Sequence, residues 1–595
     1  MKAEDTKTEL GESGAADLNA PPEPLPDSPV SLPGLATGRF WIACGIFLLV
    51  LGVYALTSPG RIDIIDGEAR FDVAFNWLMT GHPIMRDPWI GSFLSVPGRY
   101  GLRYSIYGPA GSFFPIPLVW IGLNTGSRGI EPSQFLFSLT SSIFGAAIAP
   151  ILFLFYLELG VTMRKAIAWT LVSSFATYVW AISNSTFDNA QHAFFVFGAI
   201  FFAYLSAQRK SYTLAAVGGL FAGTVFLYQE YFILIMPALA LATLNFPHAE
   251  KMALPESTAP EASVLGRMAS EIKRIFRSLW SMACSAWNSP GDARSSLIRY
   301  GLFLTTMSLG VVLFLMYNEA RFGSWFDDGR LRSYAPPFRH QPVLGNPLAG
   351  FLTLLVSPGK SVFLYSPPLL LGIFGMSRLW RRKTGLSASI AAASLILVLF
   401  LSCIAFVGGD WCWGPRYLTS LLPLWALAFP FMNGSSGVRK YAVPAIIVAG
   451  FLVQVLALSV ENQRFFFEKS FNDFFWAEDP WVYFKHSALF TRFGEAFSLR
   501  NGLPPTARLF NSIPIPEWTT YSLLGPPPNI PRNLVPLWIR NFKIFFLPRP
   551  WPLWMSSLSP ASPPINVGAW VKGLLGMTVL GCGLVYRGFR SNKYR

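Results

Sequence analysis

Charge is scarce in this chain. Asp, Glu, Lys and Arg make up only 13% of its 595 residues, about half the roughly 25% of an average soluble domain. That scarcity excludes a water-soluble globular enzyme. Cysteine is scarce too: the five, at 44, 284, 403, 412 and 582, show no paired spacing, and Cys44, Cys403 and Cys582 sit inside apolar runs. No disulfide framework or zinc motif can be built from them. A hydrophobic N-terminus is also missing. Residues 1–38 are polar and Pro-rich, and the first apolar run begins only near Phe40. They read as a disordered cytoplasmic tail rather than a signal peptide.

Apolar length is what the chain has in abundance. Hydrophobic residues are 52% and aromatics 15% of it, and the mean hydropathy is +0.41. Apolar runs recur at about 40–58, 133–157, 166–183, 190–207, 212–228, 231–246, 300–317, 361–377, 386–407, 417–433, 441–460 and 567–586. Roughly 20 apolar residues cross a bilayer as a helix, so the pattern predicts an all-α polytopic membrane protein with about twelve spans. Segment 109–125 is apolar but interrupted by prolines and glycines, and reads as re-entrant or interfacial.

The net charge of +15 is explained by topology rather than by nucleic acid. Short basic clusters lie at Arg164–Lys165, Arg209–Lys210, Arg378 to Lys383, Arg439–Lys440 and Arg587 to Arg595. With both termini inside and 109–125 not spanning, all of them face the cytoplasm, as the positive-inside rule requires. The predicted organisation is then a tail (1–38) and a transmembrane domain (39–460) with a first outer loop (59–108) and a cytoplasmic loop (247–299). An extracytoplasmic segment (461–566) and a last helix with a basic tail (567–595) follow.

This topology gathers the unusual polar residues on the outer side. The first outer loop carries Asp63, Asp66 and Glu68 between Arg61 and Arg70, followed by residues 71–81 with the spacing of a short amphipathic helix. Asp66 at a helix start has a plain reading as an N-cap. Its functional reading is a general base, since a partly desolvated carboxylate can take a proton from a hydroxyl. Tyr107 lies in a Gly/Pro-broken stretch, a backbone tolerated at membrane depth only inside protein or beside a cavity. Asp188 and His192 are four apart and share a helix face. Glu230 interrupts two apolar runs, and an ionisable group at that depth is a functional candidate. Arg321 closes a span, Lys360 precedes another, and Asp410, Trp411 and Arg416 form the densest cluster. Arginine's forked donors suit phosphate. The set fits a substrate bearing a phosphate and hydroxyls, presented from the lipid.

In this order the motifs resemble the GT-C superfamily of membrane glycosyltransferases. The strings are the acidic first loop ending at Gly81, Tyr107-Gly108-Pro109, Tyr317-Asn318 with Arg321-Phe322-Gly323, Ser357-Pro358-Gly359-Lys360, and Gly409-Asp410-Trp411-Cys412-Trp413-Gly414-Pro415-Arg416-Tyr417. The likeness is to the family 39-like branch, with the protein O-mannosyltransferases and the aminoarabinose transferase of lipid A. It covers roughly 40–460. It implies a GT-C-like fold in a bacterial cytoplasmic membrane with an extracytoplasmic site. It also implies inverting transfer of a sugar from a polyprenyl-phosphate donor to a lipid, glycan or protein acceptor. Counting back from Gly81 places the family's catalytic acid on Asp66, with Gly67 where a second acid often stands and Glu68 as its substitute; Asp63 is a further catalytic candidate. Arg70, Tyr107, Asp188, His192, Glu230, Arg321, Lys360, Asp410, Trp411 and Arg416 are the expected substrate contacts. No cofactor is required by the pattern, with a divalent cation left open. A twelve-helix transporter or lipid flippase is the competing reading, and a non-catalytic membrane scaffold the third. Against the transporter stand the unequal outer loops and the absence of a visible repeat between halves.

Overall fold

The structure is a computed structural model. It describes residues 38–86, 94–125, 130–244, 290–334, 343–409, 411–432, 439–462, 465–466, 480–501, 549–557 and 565–591. The expected N-terminal tail, most of the 247–299 loop, much of 461–566, and Asp410 lie outside the described residues.

Seven helices are long and apolar enough to cross a membrane among the described residues. They are α1 (Gly38–Thr57), the Glu131–Glu158 stretch, α4 (Asn189–Gln208), α6 (Pro290–Phe322), α7 (Thr384–Ser402), α8 (Arg439–Ser459) and α9 (Val567–Ser591). The first outer loop holds α2 (Ile65–Thr80), the 131–158 stretch ends in α3 (Thr140–Glu158), and α5 is Tyr212–Phe226. The protein is an all-α integral membrane protein.

The other five apolar runs form shorter or broken helices, and local chemistry accounts for the breaks. The 231–246 run is a series of short turns with Pro237 among them, and 361–377 breaks at Pro367–Pro368 into Val362–Tyr365 and Leu369–Arg382. The 417–433 run divides into Arg416–Leu421, Leu422–Ala426 and Phe429–Phe431, with prolines at 423 and 430. Proline lacks the N–H an interior turn needs. The 166–183 run parts between Phe175 and Val179, where the Thr177 hydroxyl donates to the Ser173 carbonyl. Broken backbone survives at membrane depth only when enclosed by protein, and Leu418 to Phe429 are almost entirely buried.

Helix α4 is the hub, with 89% of its apolar window buried, against 11% for α9. Helices α1 and α9 approach closely at Gly45 and Gly581, where a Cβ on Gly45 would stand 2.6 Å from the Gly581 carbonyl oxygen. Small residues let backbones meet where hydrocarbon offers no hydrophobic drive between helices.

The outer face is built around α2. Acidic Asp66 and Glu68 occupy its first turn, favourable to the positive helix end. Gly81 ends it at φ 75°, its N–H donating to the Trp77 carbonyl, as the glycine at that place predicts. The helix runs over 65–80, longer than the 71–81 expected. Asp66 is not its N-cap: that position is Ile64, with no side-chain cap. A two-stranded antiparallel hairpin follows, β1 (Ser95–Pro97) on β2 (Arg103–Ser105), in register Val96 to Tyr104. Segment 109–125 then forms two short helices, Ala110–Phe113 and Ile116–Leu123.

Candidate functional site

Several stretches of chain meet at a cavity of about 480 Å³. Helix α2 supplies Asp66 and Arg70, one turn apart on the same face. The loop into α4 and its first turn supply Phe187, Asp188 and His192. The end of the first outer loop supplies Tyr107, the turn before the broken 416–431 segment supplies Trp411, and the start of that segment supplies Arg416 and Tyr417. A second side carries Gln229, Glu230, Tyr231 and Arg330, with apolar Val343, Phe400 and Ile404 beside them. Phe400 belongs to α7, so the cavity borders a membrane helix.

The charged groups are paired. Arg416 Nη1 lies 3.2 Å from Asp66 Oδ2, across 350 positions of sequence. Its Nη2 is 3.3 Å from the Tyr417 hydroxyl, and its guanidinium stands 3.8 Å over the Phe187 ring. Arg70 Nη2 is 2.8 Å from Asp188 Oδ2, and His192 Nε2 is 3.4 Å from the same oxygen. Arg330 Nη1 is 3.2 Å from a Glu230 carboxylate oxygen and 2.9 Å from Gln229 Oε1. Three acids therefore face three arginines around one space.

Tyr107 ties two pairs together. Arg70 lies 4.5 Å over its ring, and the Asp66 charge acts on its hydroxyl. Burial, reinforced by the Asp66 charge, pushes the Tyr107 hydroxyl well above the usual phenol range. It therefore stays a donor. Burial alone would raise the Asp188 carboxyl, but Arg70, His192 and Arg416 outweigh it and hold that group below the ordinary carboxylate range.

Several expected site residues stand behind this wall rather than on it. Lys360 is 1% exposed, and its ammonium donates to the carbonyls of Cys412 at 2.8 Å and Gly414 at 3.2 Å. It braces the 411–416 turn, where Trp411 has φ 22° and Gly409 and Gly414 have φ 66° and 68°. Arg321 donates to the Ser105 carbonyl and to Asn318 Oδ1, with its guanidinium 3.9 Å over the Tyr317 ring. It braces the strand leading to Tyr107. Glu68 is buried in α2 off the cavity lining. Asp63 is also off the lining, its carboxylate held by the Thr186 N–H and hydroxyl at 2.8 and 2.7 Å. The structure thus brings Asp66, Arg70, Tyr107, Asp188, His192, Glu230, Trp411 and Arg416 together.

Arg330, Phe187 and Tyr231 are among the cavity residues that escaped the sequence reading. Arg330 sits in Asp327-Asp328-Gly329-Arg330, which looks like an ordinary solvated loop. Phe187 and Tyr231 look like membrane core. For Arg330 the only available signal was a cation at an outer helix start facing the unexplained Glu230.

Among the described residues, no group of three or more His, Cys, Asp or Glu side chains could hold a metal ion. Each described cavity carboxylate faces an arginine instead, and these donors do not fit a cation.

No family model matches the chain, and no curated protein sequence matches it. Solved structures do. The apo oligosaccharyltransferase of Archaeoglobus fulgidus is similar at 14% identity and a TM-score of 0.39, over 74% of this chain and 59% of that one. The same enzyme in complex with zinc and sulfate is similar at 14% identity and a TM-score of 0.39, over 69% and 53%. ArnT from Cupriavidus metallidurans bound to undecaprenyl phosphate is similar at 12% identity and a TM-score of 0.44, over 93% and 78%. The chain thus spans less than two thirds of the archaeal enzyme it matches.

Proposed function

We propose that the chain is a membrane glycosyltransferase. It moves a sugar from a polyprenyl-phosphate donor to an acceptor hydroxyl on the extracytoplasmic side, with inversion. The observation that carries this reading is the meeting of Asp66 with Arg416, 3.2 Å apart, on a cavity bordered by the membrane helix α7.

In this reading Asp66 accepts the proton of the acceptor hydroxyl, and the freed oxygen pair attacks the anomeric carbon. The bond from that carbon to the phosphate oxygen breaks, and its electron pair leaves with the polyprenyl phosphate. A single displacement inverts the centre. Arg416, fixed between Asp66 and the Phe187 ring, meets the charge that grows on the departing oxygen. A cation held in place costs no reorganisation at that moment. Tyr107 and Trp411 face the sugar or first isoprene units. Asp188, oriented by Arg70 and His192, accepts from a sugar hydroxyl. Glu230 with Arg330 lines the far side. Lys360 and Arg321 act by holding the Trp411 turn and the Tyr107 strand. No step passes through a metal.

The resemblance of the sequence motifs to GT-C enzymes supports the same class. The acceptor is a lipid, glycan or protein hydroxyl, and the inner membrane of a bacterium is the expected location. The test is incubation of purified protein with a panel of lipid-linked sugars. Release of polyprenyl phosphate from at least one is expected, with the product anomer inverted. No release from any of them, or retention of configuration, would overturn the reading.

A further inference from the structure

A second group of charges lies behind the cavity and is fully enclosed. Arg549 Nη1 is 2.8 Å from Glu461 Oε1, and its Nη2 is 3.3 Å from Asp63 Oδ2 and 2.8 Å from the Asn184 carbonyl. Glu461 Oε2 in turn takes Arg61 Nη2 at 2.6 Å. Arg549 and Glu461 are 0% exposed, Asp63 is 1%. Two acids and two arginines balance.

The segment that carries Arg549 laces helix ends together. Its N–H donates to the Ser459 carbonyl at the end of α8, and the Trp551 N–H donates to Ser58 just past α1. The Trp551 indole donates to the Ala55 carbonyl at 2.7 Å.

What this clasp grips decides its meaning. Asp63 stands three residues before Asp66. Its other oxygen holds Thr186, one residue before Phe187, on which Arg416 rests, and two before Asp188. Both walls of the cavity are thus fastened to one guanidinium. A buried ion network is poor evidence for stability, since apolar residues of equal volume often serve as well. Its best-attested use is to fix one arrangement.

We propose that Arg549 is a positioning residue for the reaction: through Asp63 and the Asn184–Thr186 turn it sets Asp66 against Arg416. This rests on Asp66 being the base. Arg549 comes from a stretch of chain 486 positions beyond Asp63, so the segment after α8 completes the site without touching substrate.

The experiment uses the full chain in detergent with Ile65→Cys, a cavity-lining position that leaves Asp66 and Arg416 intact. A maleimide labels it, and the rate at residue 65 is read by mass spectrometry of its peptide. Arg549→Gln, Arg549→Lys and Asp63→Asn are compared with Arg299→Gln, another fully buried arginine, which bonds Thr243, Ser295 and Ser296 instead. Labelling roughly tenfold faster in the clasp variants that insert is expected, with no change in Arg299→Gln. With Ile65 native, kcat falls roughly 100-fold while KM for the donor stays within about twofold. The acid limb of the pH profile of kcat also moves. A mere loss of folded protein would leave that limb in place and would speed labelling in Arg299→Gln as well. Unchanged labelling in the clasp variants, or equal acceleration by Arg299→Gln, overturns the proposal. Faster labelling in a protein that turns over no lipid-linked sugar supports the clasp and removes Asp66 as base.

Discussion

Replacing Arg416 by glutamine keeps a flat hydrogen-bonding end and removes the charge. In the structure that charge sits 3.2 Å from Asp66 Oδ2, with both side chains mostly enclosed. At an effective dielectric of about 20 the gross attraction is about 5 kcal/mol. Desolvation offsets much of it, so the pair's net worth is smaller than that figure. Transition-state stabilisation is the larger concern. Losing one donor aimed at a developing anion costs about 3–4 kcal/mol, or roughly 100- to 1,000-fold in kcat. Arg416→Lys keeps the charge but loses the fork that reaches Asp66 and Tyr417 together, so an intermediate loss is expected. The assay is steady-state release of polyprenyl phosphate, with kcat and KM separated. Because Asp66 and Arg416 act in one step, the double variant Asp66→Asn/Arg416→Gln should lose little beyond the worse single variant. Turnover of Arg416→Gln within about threefold of the unaltered protein, or fully additive losses in the double variant, would refute the reasoning.

Other expectations follow from the same geometry. Asp188 is held below the ordinary carboxylate range in the fold. Its contribution to stability is complete above about pH 5 and is lost as pH falls through about 4 and below; Asp188→Asn should flatten the acid limb of a thermal-unfolding profile. Lys360→Met strips the Cys412 and Gly414 carbonyls of their shared donor and should lower stability by about 1–3 kcal/mol, measured by thermal unfolding in detergent, along with activity. Gly581→Leu should force α1 from α9 and cost about 1–3 kcal/mol in the same measurement, with Gly576→Leu, where an added Cβ meets nothing within 4 Å, as the neutral control.

Much of the site was readable because its chemistry is costly where it occurs. Acids and arginines in a chain so poor in charge stand out, and the topology put Asp66, Asp188, Glu230 and Arg416 on one side before any geometry was known. Gly81 marked the end of α2 because only a left-handed residue closes that helix cheaply. The count of long spans was harder. Hydropathy measures how apolar a run is and is blind to where it breaks, so 231–246, 361–377 and 417–433 read as unbroken helices although proline interrupts each. The bracing residues were less visible still. Lys360 and Arg321 have the composition of anion ligands, and only coordinates show their donors turned to backbone carbonyls. Arg549 and Glu461 lie in stretches with no motif at all, and nothing in a one-dimensional reading joins them to Asp63.

The most direct test of the account is the turnover of Asp66→Asn beside the unaltered protein, on whichever lipid-linked sugar the panel selects. The substitution keeps the side chain's shape and removes its capacity to take a proton. Unfolding temperatures within a few degrees of each other, with polyprenyl phosphate release reduced roughly 100- to 10,000-fold, are expected. Release by Asp66→Asn at the unaltered rate would contradict the assignment of Asp66 as the base.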